Sequence, residues 1–153
     1  MRMTSVAVLA AALTTTAALA DANSDYLAAN AKKPGVVVSA DGLQHKVIKT
    51  GHGTKPRGTD CATVNYKGTF IDGRVFDQSQ PGHPVSFPVN RVIAGWTEAL
   101  QMMHAGDVWE LTIPSDLAYG PSGTPDGTIP PNTPLVFSVD LVKVSPSQQG
   151  RCY

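Results

Sequence analysis

The sequence predicts an α+β fold in which a five-stranded antiparallel sheet wraps around one short helix. Three observations carry this reading. Apolar residues alternate with polar ones in short runs at 43–48, 62–70, 83–89, 108–113 and 135–144, the period of strands with one buried face. Only one stretch of that body, RVIAGWTEALQMMHAG at 91–106, spaces its apolar residues helically, through Val92, Ile93, Trp96 and Leu100. The chain also spends 14 Gly and 12 Pro on 153 residues, a supply of turns that suits a strand-rich domain better than a helical bundle.

Taken in order, the first 20 residues stand apart. MRMTSVAVLAAALTTTAALA carries one early cation, Arg2, then an Ala-rich apolar run, and closes on Ala18-Leu19-Ala20. This is the pattern of a secretory signal peptide. Its apolar segment at 6–13 is too short to span a bilayer, and no Cys lies near the cleavage point. The expected mature chain starts at Asp21, periplasmic or secreted, with no membrane anchor. Residues 21–40 read as an arm with a helix of about two turns over 26–33, capped by Ser24 or Asp25 and stopped by Pro34-Gly35. So short a helix makes no dimerisation stalk, and a monomer is expected.

The body, 41–146, holds the strands. Its last strand shows the alternation best: Leu135, Phe137, Val139 and Leu141 share one face, and Ser138 and Asp140 the other. One face apolar on every strand calls for something to cover it, and the 91–106 helix is the available element. Between the last two strands, 116–134 is rich in Gly and Pro and reads as a long loop, of the kind that is usually functional or disordered. Residues 147–153 form a tail.

Net charge is zero and only 16% of residues are charged, so no basic footprint points to nucleic acid or an anionic membrane. No G-x-S-x-G, H-E-x-x-H or P-loop pattern occurs, and His45, His52, His83 and His104 lack metal-ligand spacing. What stands out is aromatic. Tyr66, Phe76, Phe87, Trp96, Tyr119 and Phe137 fall on separate elements, and one carboxylate, Asp77, follows Phe76 directly. From composition these rings read first as hydrophobic core, with the lining of a cavity as the alternative.

Four blocks in order, GLQHKVIKTGHGTKP, VNYKGTFIDGRVFD, FPVNRVIAGWTEALQMMHAGDVWELTIPSDLAYG and IPPNTPLVFSVDLVKV, decide between them. Over about residues 42–144 the chain resembles the FKBP-type peptidyl-prolyl cis–trans isomerases, in particular the exported bacterial branch that includes the macrophage infectivity potentiator proteins. The combination of YKGTFIDGRVFD, VIAGWTEAL and LAYG at these spacings is far more specific than any one fragment. The resemblance implies an FKBP-like fold and a pocket floored by Trp96 and rimmed by Val92 and Ile93, with the helix starting just after them. It implies that Tyr66, Phe76, Phe87, Ile129 and Phe137 line that pocket with them. Asp77, Tyr119 and Tyr66 would be the catalytic residues. The Ile93 N–H and the Tyr119 hydroxyl would hold substrate carbonyls, and Asp77 would accept a hydrogen bond from Tyr66 beside the rotating amide.

The reaction so implied uses neither cofactor nor metal. Its partners would be proline-containing polypeptides, and inhibitors of the FK506/rapamycin macrolide type are candidate ligands. The segment DQSQPGHPVSF lacks the Arg that some members set against the pocket Asp. The loop after Tyr119, GPSGTPDGTIPP, also departs from the best-known members. Two cysteines in an exported chain favour pairing. In the family's sheet the strand opened by Cys61 neighbours the last strand, so the resemblance implies a Cys61–Cys152 disulfide. Two other classes stay open: a proline-peptide binding module or folding holdase with weak catalysis, and a small secreted hydrolase.

Overall fold

The computed structural model describes residues 11–153, with side chains described from residue 18 onward. Helix α1 (Ala11–Ala31) leads into β1 (Val36–Val38), β2 (Gln44–Lys49), β3 (Asp60–Thr69), β4 (Val75–Gln78) and β5 (Val85–Pro88). A 3-10 turn (Val89–Arg91) precedes helix α2 (Ala94–Met102), then β6 (Val108–Ile113), a second 3-10 turn (Ser115–Leu117) and β7 (Leu135–Pro146).

The strands form one antiparallel sheet in the order β1-β2-β6-β7-β3-β4, with β5 also paired to β3. β3 is the hub. One edge of it runs against β7 from Asp60↔Pro146 to Thr69↔Val136. Its other edge is shared in tandem by β5, opposite Cys61 to Val64, and by β4, opposite Lys67 to Thr69. The apolar side of this sheet meets α2. Trp96, Ala99 and Leu100 are buried against Leu43, Leu111, Ile113, Leu135, Val139 and Leu141 in one core. A side chain at Gly95 would put its Cβ 2.7 Å from Ile113 Cγ2, so the helix can approach the sheet this closely only with glycine there. β7 keeps the predicted alternation, with Leu135, Phe137, Val139 and Leu141 buried and Ser138 exposed.

Seven strands replace the expected five. β1 is a run of three valines without alternation, and β4 has only four residues. Neither is long enough to express a period. Both exist because β2 and β3 offer open edges to pair with. The apolar spacing at 91–106 overran the helix, as the family resemblance implied. Val92 and Ile93 are extended (ψ 175° and 150°), and α2 starts at Ala94.

The arm differs more. α1 starts well before residue 26 and stops at Ala31, short of the expected end at 33. Ser24 is not a cap: it lies inside the helix, its Oγ donating to the Ala20 carbonyl at 3.0 Å. Ala is the strongest helix former, and no Gly or Pro interrupts the chain before Pro34. The expected cleavage point after Ala20 therefore falls within a continuous helix, and residues 1–10 of the expected signal peptide lie outside the described residues. α1 is fastened to the sheet where Asn30 Nδ2 donates to Gln44 Oε1 (2.8 Å) and Thr112 Oγ1 (3.1 Å), and Gln44 Nε2 donates to the Leu27 carbonyl.

The tail folds back. Cys152 is bonded to Cys61 with a Cα–Cα distance of 5.8 Å. Cys61 sits on β3 between Pro88 of β5 and Ser145 of β7, so the bond ties the end of the chain to the middle of the sheet.

Candidate active site

A cavity of about 470 Å³ opens between α2 and the sheet, within the size range of small-ligand sites. Its floor is Trp96, 4% exposed, from the first turn of α2. Three rings stand edge-on around the indole: Phe137 of β7 at 5.2 Å between centroids, Tyr66 of β3 at 5.4 Å and Phe87 of β5 at 5.8 Å. Phe76 of β4 extends the wall by meeting Phe137 edge-on at 5.5 Å. Edge-to-face pairs are a preferred aromatic geometry, and each ring here fixes the next. Val92 and Ile93 form the rim on the side of the 3-10 turn, and Tyr119, 41% exposed, stands on the loop after β6.

Local structure explains how each group is presented. Alternation on β3 and β7 turns Tyr66 and Phe137 to the side facing α2. At the entry to α2, Thr97 Oγ1 donates to the Val89 carbonyl at 2.7 Å, locking the helix start to the 3-10 turn. The Trp96 and Thr97 N–H groups close on the Ile93 carbonyl. That leaves the Ile93 N–H, just outside the helix, with no acceptor among the described residues.

The loop of Tyr119 is cross-braced. Thr124 N donates to the Ile129 carbonyl, Ile129 N donates to Thr124 Oγ1, and Asn132 N donates to the Gly120 carbonyl, each at 2.9 Å. Asp126 Oδ1 accepts from Thr124 Oγ1 and Thr128 N. Among the described residues the Tyr119 hydroxyl makes no hydrogen bond.

The polar centre of the cavity is the pair Tyr66–Asp77, in which the Tyr66 hydroxyl donates to Asp77 Oδ2 at 2.9 Å. Burial, and then this carboxylate as acceptor and as neighbouring charge, push the Tyr66 hydroxyl up to about 12. It therefore stays a donor at any physiological pH. The arrangement offers an apolar slot sized for a small ring, two unengaged donors at its edge and one oriented carboxylate.

Of the residues expected here, Tyr66, Phe76, Asp77, Phe87, Val92, Ile93, Trp96, Tyr119 and Phe137 line the same cavity. Ile129 does not. It is 3% exposed within the core, and its backbone is engaged by Thr124 beneath the loop. Two residues escaped the sequence. Arg91 contributes the one cation of the lining, and nothing in its own type or spacing announces that. Gly68 lies under the wall: a Cβ there would stand 2.7 Å from both Phe137 Cε1 and Phe76 Cζ. An isolated glycine inside a strand pattern was the available signal for such a close approach.

Comparison with known proteins agrees with this geometry. Residues 52–142 match the model for the FKBP-type peptidyl-prolyl cis-trans isomerase domain, and residues 3–47 match the domain amino terminal to it. The chain is 52% identical over 120 residues to the outer membrane protein MIP of Legionella longbeachae, an alignment covering 78% of this chain and 51% of that protein. It is also 52% identical to the FKBP-type 22 kDa peptidyl-prolyl cis-trans isomerase of Escherichia coli, covering 78% and 58%. The chain thus spans about half the length of the curated relatives it matches. The crystal structure of a peptidyl-prolyl cis-trans isomerase from Pseudomonas syringae aligns with a TM-score of 0.78 at 44% identity, over 85% of this chain and 96% of that one. That of FkpA from Escherichia coli aligns with 0.81 at 44%, over 88% and 63%.

Proposed function

The chain belongs to the FKBP-type peptidyl-prolyl cis-trans isomerase family, and from that premise we propose that it accelerates rotation about Xaa-Pro bonds in exported polypeptides, without a covalent intermediate. The observation that carries this reading is the ring-walled cavity over Trp96 with the Tyr66–Asp77 pair at its edge.

The chemistry follows from the amide. Rotation must break resonance, at a barrier of roughly 18–20 kcal/mol, whereas the cis and trans Xaa-Pro states differ by only about 0.5–1 kcal/mol. A planar amide is polar and well solvated. Twisted by a quarter turn, it loses charge separation, and its nitrogen becomes a better acceptor. A dry aromatic slot disfavours the planar form more than the twisted one, so binding energy is spent in the transition state. Trp96, Tyr66, Phe87 and Phe137 enclose the proline ring in this reading. The Ile93 N–H and the Tyr119 hydroxyl hold the flanking carbonyls, and Asp77 lies beside the rotating carbonyl, oriented by Tyr66. The apolar rim of Val92 and Ile93 favours Leu or Phe before proline over Glu, whose carboxylate would have to be desolvated there.

Export is proposed from the amino-terminal sequence pattern, with cleavage after Ala20. Among the described residues, no helix is long and apolar enough to cross a membrane. A monomer acting on unfolded clients is the simplest working form, and light scattering during size exclusion tests it. Turnover of a Leu-Pro peptide in a protease-coupled assay, with and without an FK506-type macrolide, tests the activity. Acceleration suppressed by the macrolide is expected. Binding of the peptide with no rate above buffer would reduce the protein to a proline-binding module.

A further inference from the structure

The cavity carries two charged side chains, and only one of them is engaged by a neighbour. Asp77 holds the Tyr66 hydroxyl. Arg91 lines the same cavity, is exposed, and forms no ion pair among the described residues, whose three pairs are Arg57–Asp60, Arg74–Asp72 and His104–Asp107. Nor do Arg91 and Asp77 pair with each other, so the site has a separated anion and cation.

Arg91 is also backed by the chain's own tail. At Gly150 the backbone is left-handed (φ 74°), and a Cβ there would stand 2.9 Å from Arg91 Nη2. That turn is closed by reciprocal hydrogen bonds between Gln148 and Arg151, at 2.9 and 3.0 Å. Two residues beyond Gly150, Cys152 is bonded to Cys61, which lies opposite Pro88, three residues before Arg91. The tail, the disulfide and the 3-10 turn thus form one small closed unit beside the cavity, with the guanidinium of this lining residue packed against the Gly150 turn.

We propose that Arg91 is a specificity-determining residue, held at the pocket by the disulfide-tethered tail, which selects substrates with an acidic side chain on one flank of the Xaa-Pro unit. The proposal rests on the isomerase reading for its substrate. The residue directly before proline faces the apolar rim of Val92 and Ile93, so the carboxylate belongs one position outside the dipeptide. It belongs on a single side, because Asp77 repels it from the other part of the cavity. A long side chain that would otherwise sample many rotamers is restricted by Gly150 behind it, which lowers the entropy lost on pairing. A side chain at Gly150 would displace the flexible guanidinium from this place, and the left-handed backbone there favours glycine.

The test uses oxidised full-length protein and Leu-Pro peptides bearing Glu, or isosteric Gln, immediately before or immediately after the dipeptide. Each result is a Glu/Gln ratio of kcat/KM taken within one protein, so that a general loss in a variant cancels. On one flank the ratio should be roughly two- to fivefold, as for an exposed ion pair, and should fall as salt is raised. Arg91→Gln should bring it to about one, and Arg91→Glu below one. Arg151→Gln, outside the lining, should leave it in place. Reduction of the disulfide should lower it with Arg91 intact. A ratio of one in the parent, an equal gain on both flanks, or equal loss in the two Gln variants overturns the proposal. An unchanged ratio after reduction removes the role of the tail. Acceleration of the Gln peptides shows that isomerisation stands whatever the ratio. If no peptide is accelerated, the same Glu/Gln ratio read from fluorescence-measured affinities still decides the role of Arg91.

Discussion

Tyr119 and Asp77 each present a polar group to a cavity walled by rings, and neither is buried in the core. Substituting them therefore separates activity from stability. Tyr119→Phe should lower kcat/KM by about tenfold or less, the worth of one hydrogen bond near 1 kcal/mol, with an unchanged denaturation midpoint. Asp77→Ala should also cost turnover more than stability. Full activity in both variants would refute the assigned roles. Trp96 is the contrast. It touches Tyr66, Phe87 and Phe137, and Trp96→Ala should lose about 3–5 kcal/mol by denaturant titration together with activity. Gly68→Ala makes a subtler case. Its new methyl would push directly on Phe76 and Phe137, so activity should fall although no polar group is touched, and tryptophan fluorescence should report the displaced rings.

At the scale of the element, α2 couples stability to pH. Its buried face carries Trp96, and Glu98 lies in the same helix. Burial, and then the hydrogen bond and charge of Asp41 in the β1–β2 turn, push the Glu98 carboxyl up to about 7, against a smaller opposing effect of Ser39. Asp41 is lowered, first by the hydrogen bond from Glu98 and then by the Leu43 N–H. A carboxyl raised in the folded state binds more protons there than when unfolded, so its stabilising contribution is complete below the unfolded value of about 4.5 and is lost as pH rises toward 7. Glu98→Gln should therefore melt above the parent at pH 8 and lose that advantage at pH 4. An equal difference at both pH values would show that the Glu98 carboxyl is not raised by its surroundings. α1 is held differently, through buried Asn30 and its two acceptors. Asn30→Ala leaves Gln44 and Thr112 without that donor and should cost about 1–3 kcal/mol.

For the whole molecule, the disulfide closes a separation of 91 residues. Its loss should destabilise by about 2–5 kcal/mol, read as a lower denaturant midpoint with reductant present. Thiol labelling of unfolded, unreduced protein from the exported fraction should find no free thiol, and two labels per chain would reject the bond. The mature amino terminus is the second question at this scale. Intact mass should begin at Asp21. Retention of residues 1–20 would keep the first half of α1 in the folded protein and end the export reading.

What the sequence determined by itself is whatever a local period or a local motif expresses. The alternation of Leu135, Phe137, Val139 and Leu141 declared a strand and its buried face before any neighbour was known. YKGTFIDGRVFD and VIAGWTEAL with LAYG marked the family, and so named nine of the ten residues that line the cavity. The tertiary structure alone decided what depends on partners distant in the chain. β1 and β4 are strands because β2 and β3 leave edges for them. Ile129 belongs to the core because Thr124 draws its backbone inward. Arg91 lines the cavity with a tail from more than fifty residues later packed against its guanidinium, tied back by Cys61. Periodicity records how one segment meets solvent and core, whereas a cavity is made by the side chains of separate segments. Their distances come from the pairing of strands and the packing of a helix upon them.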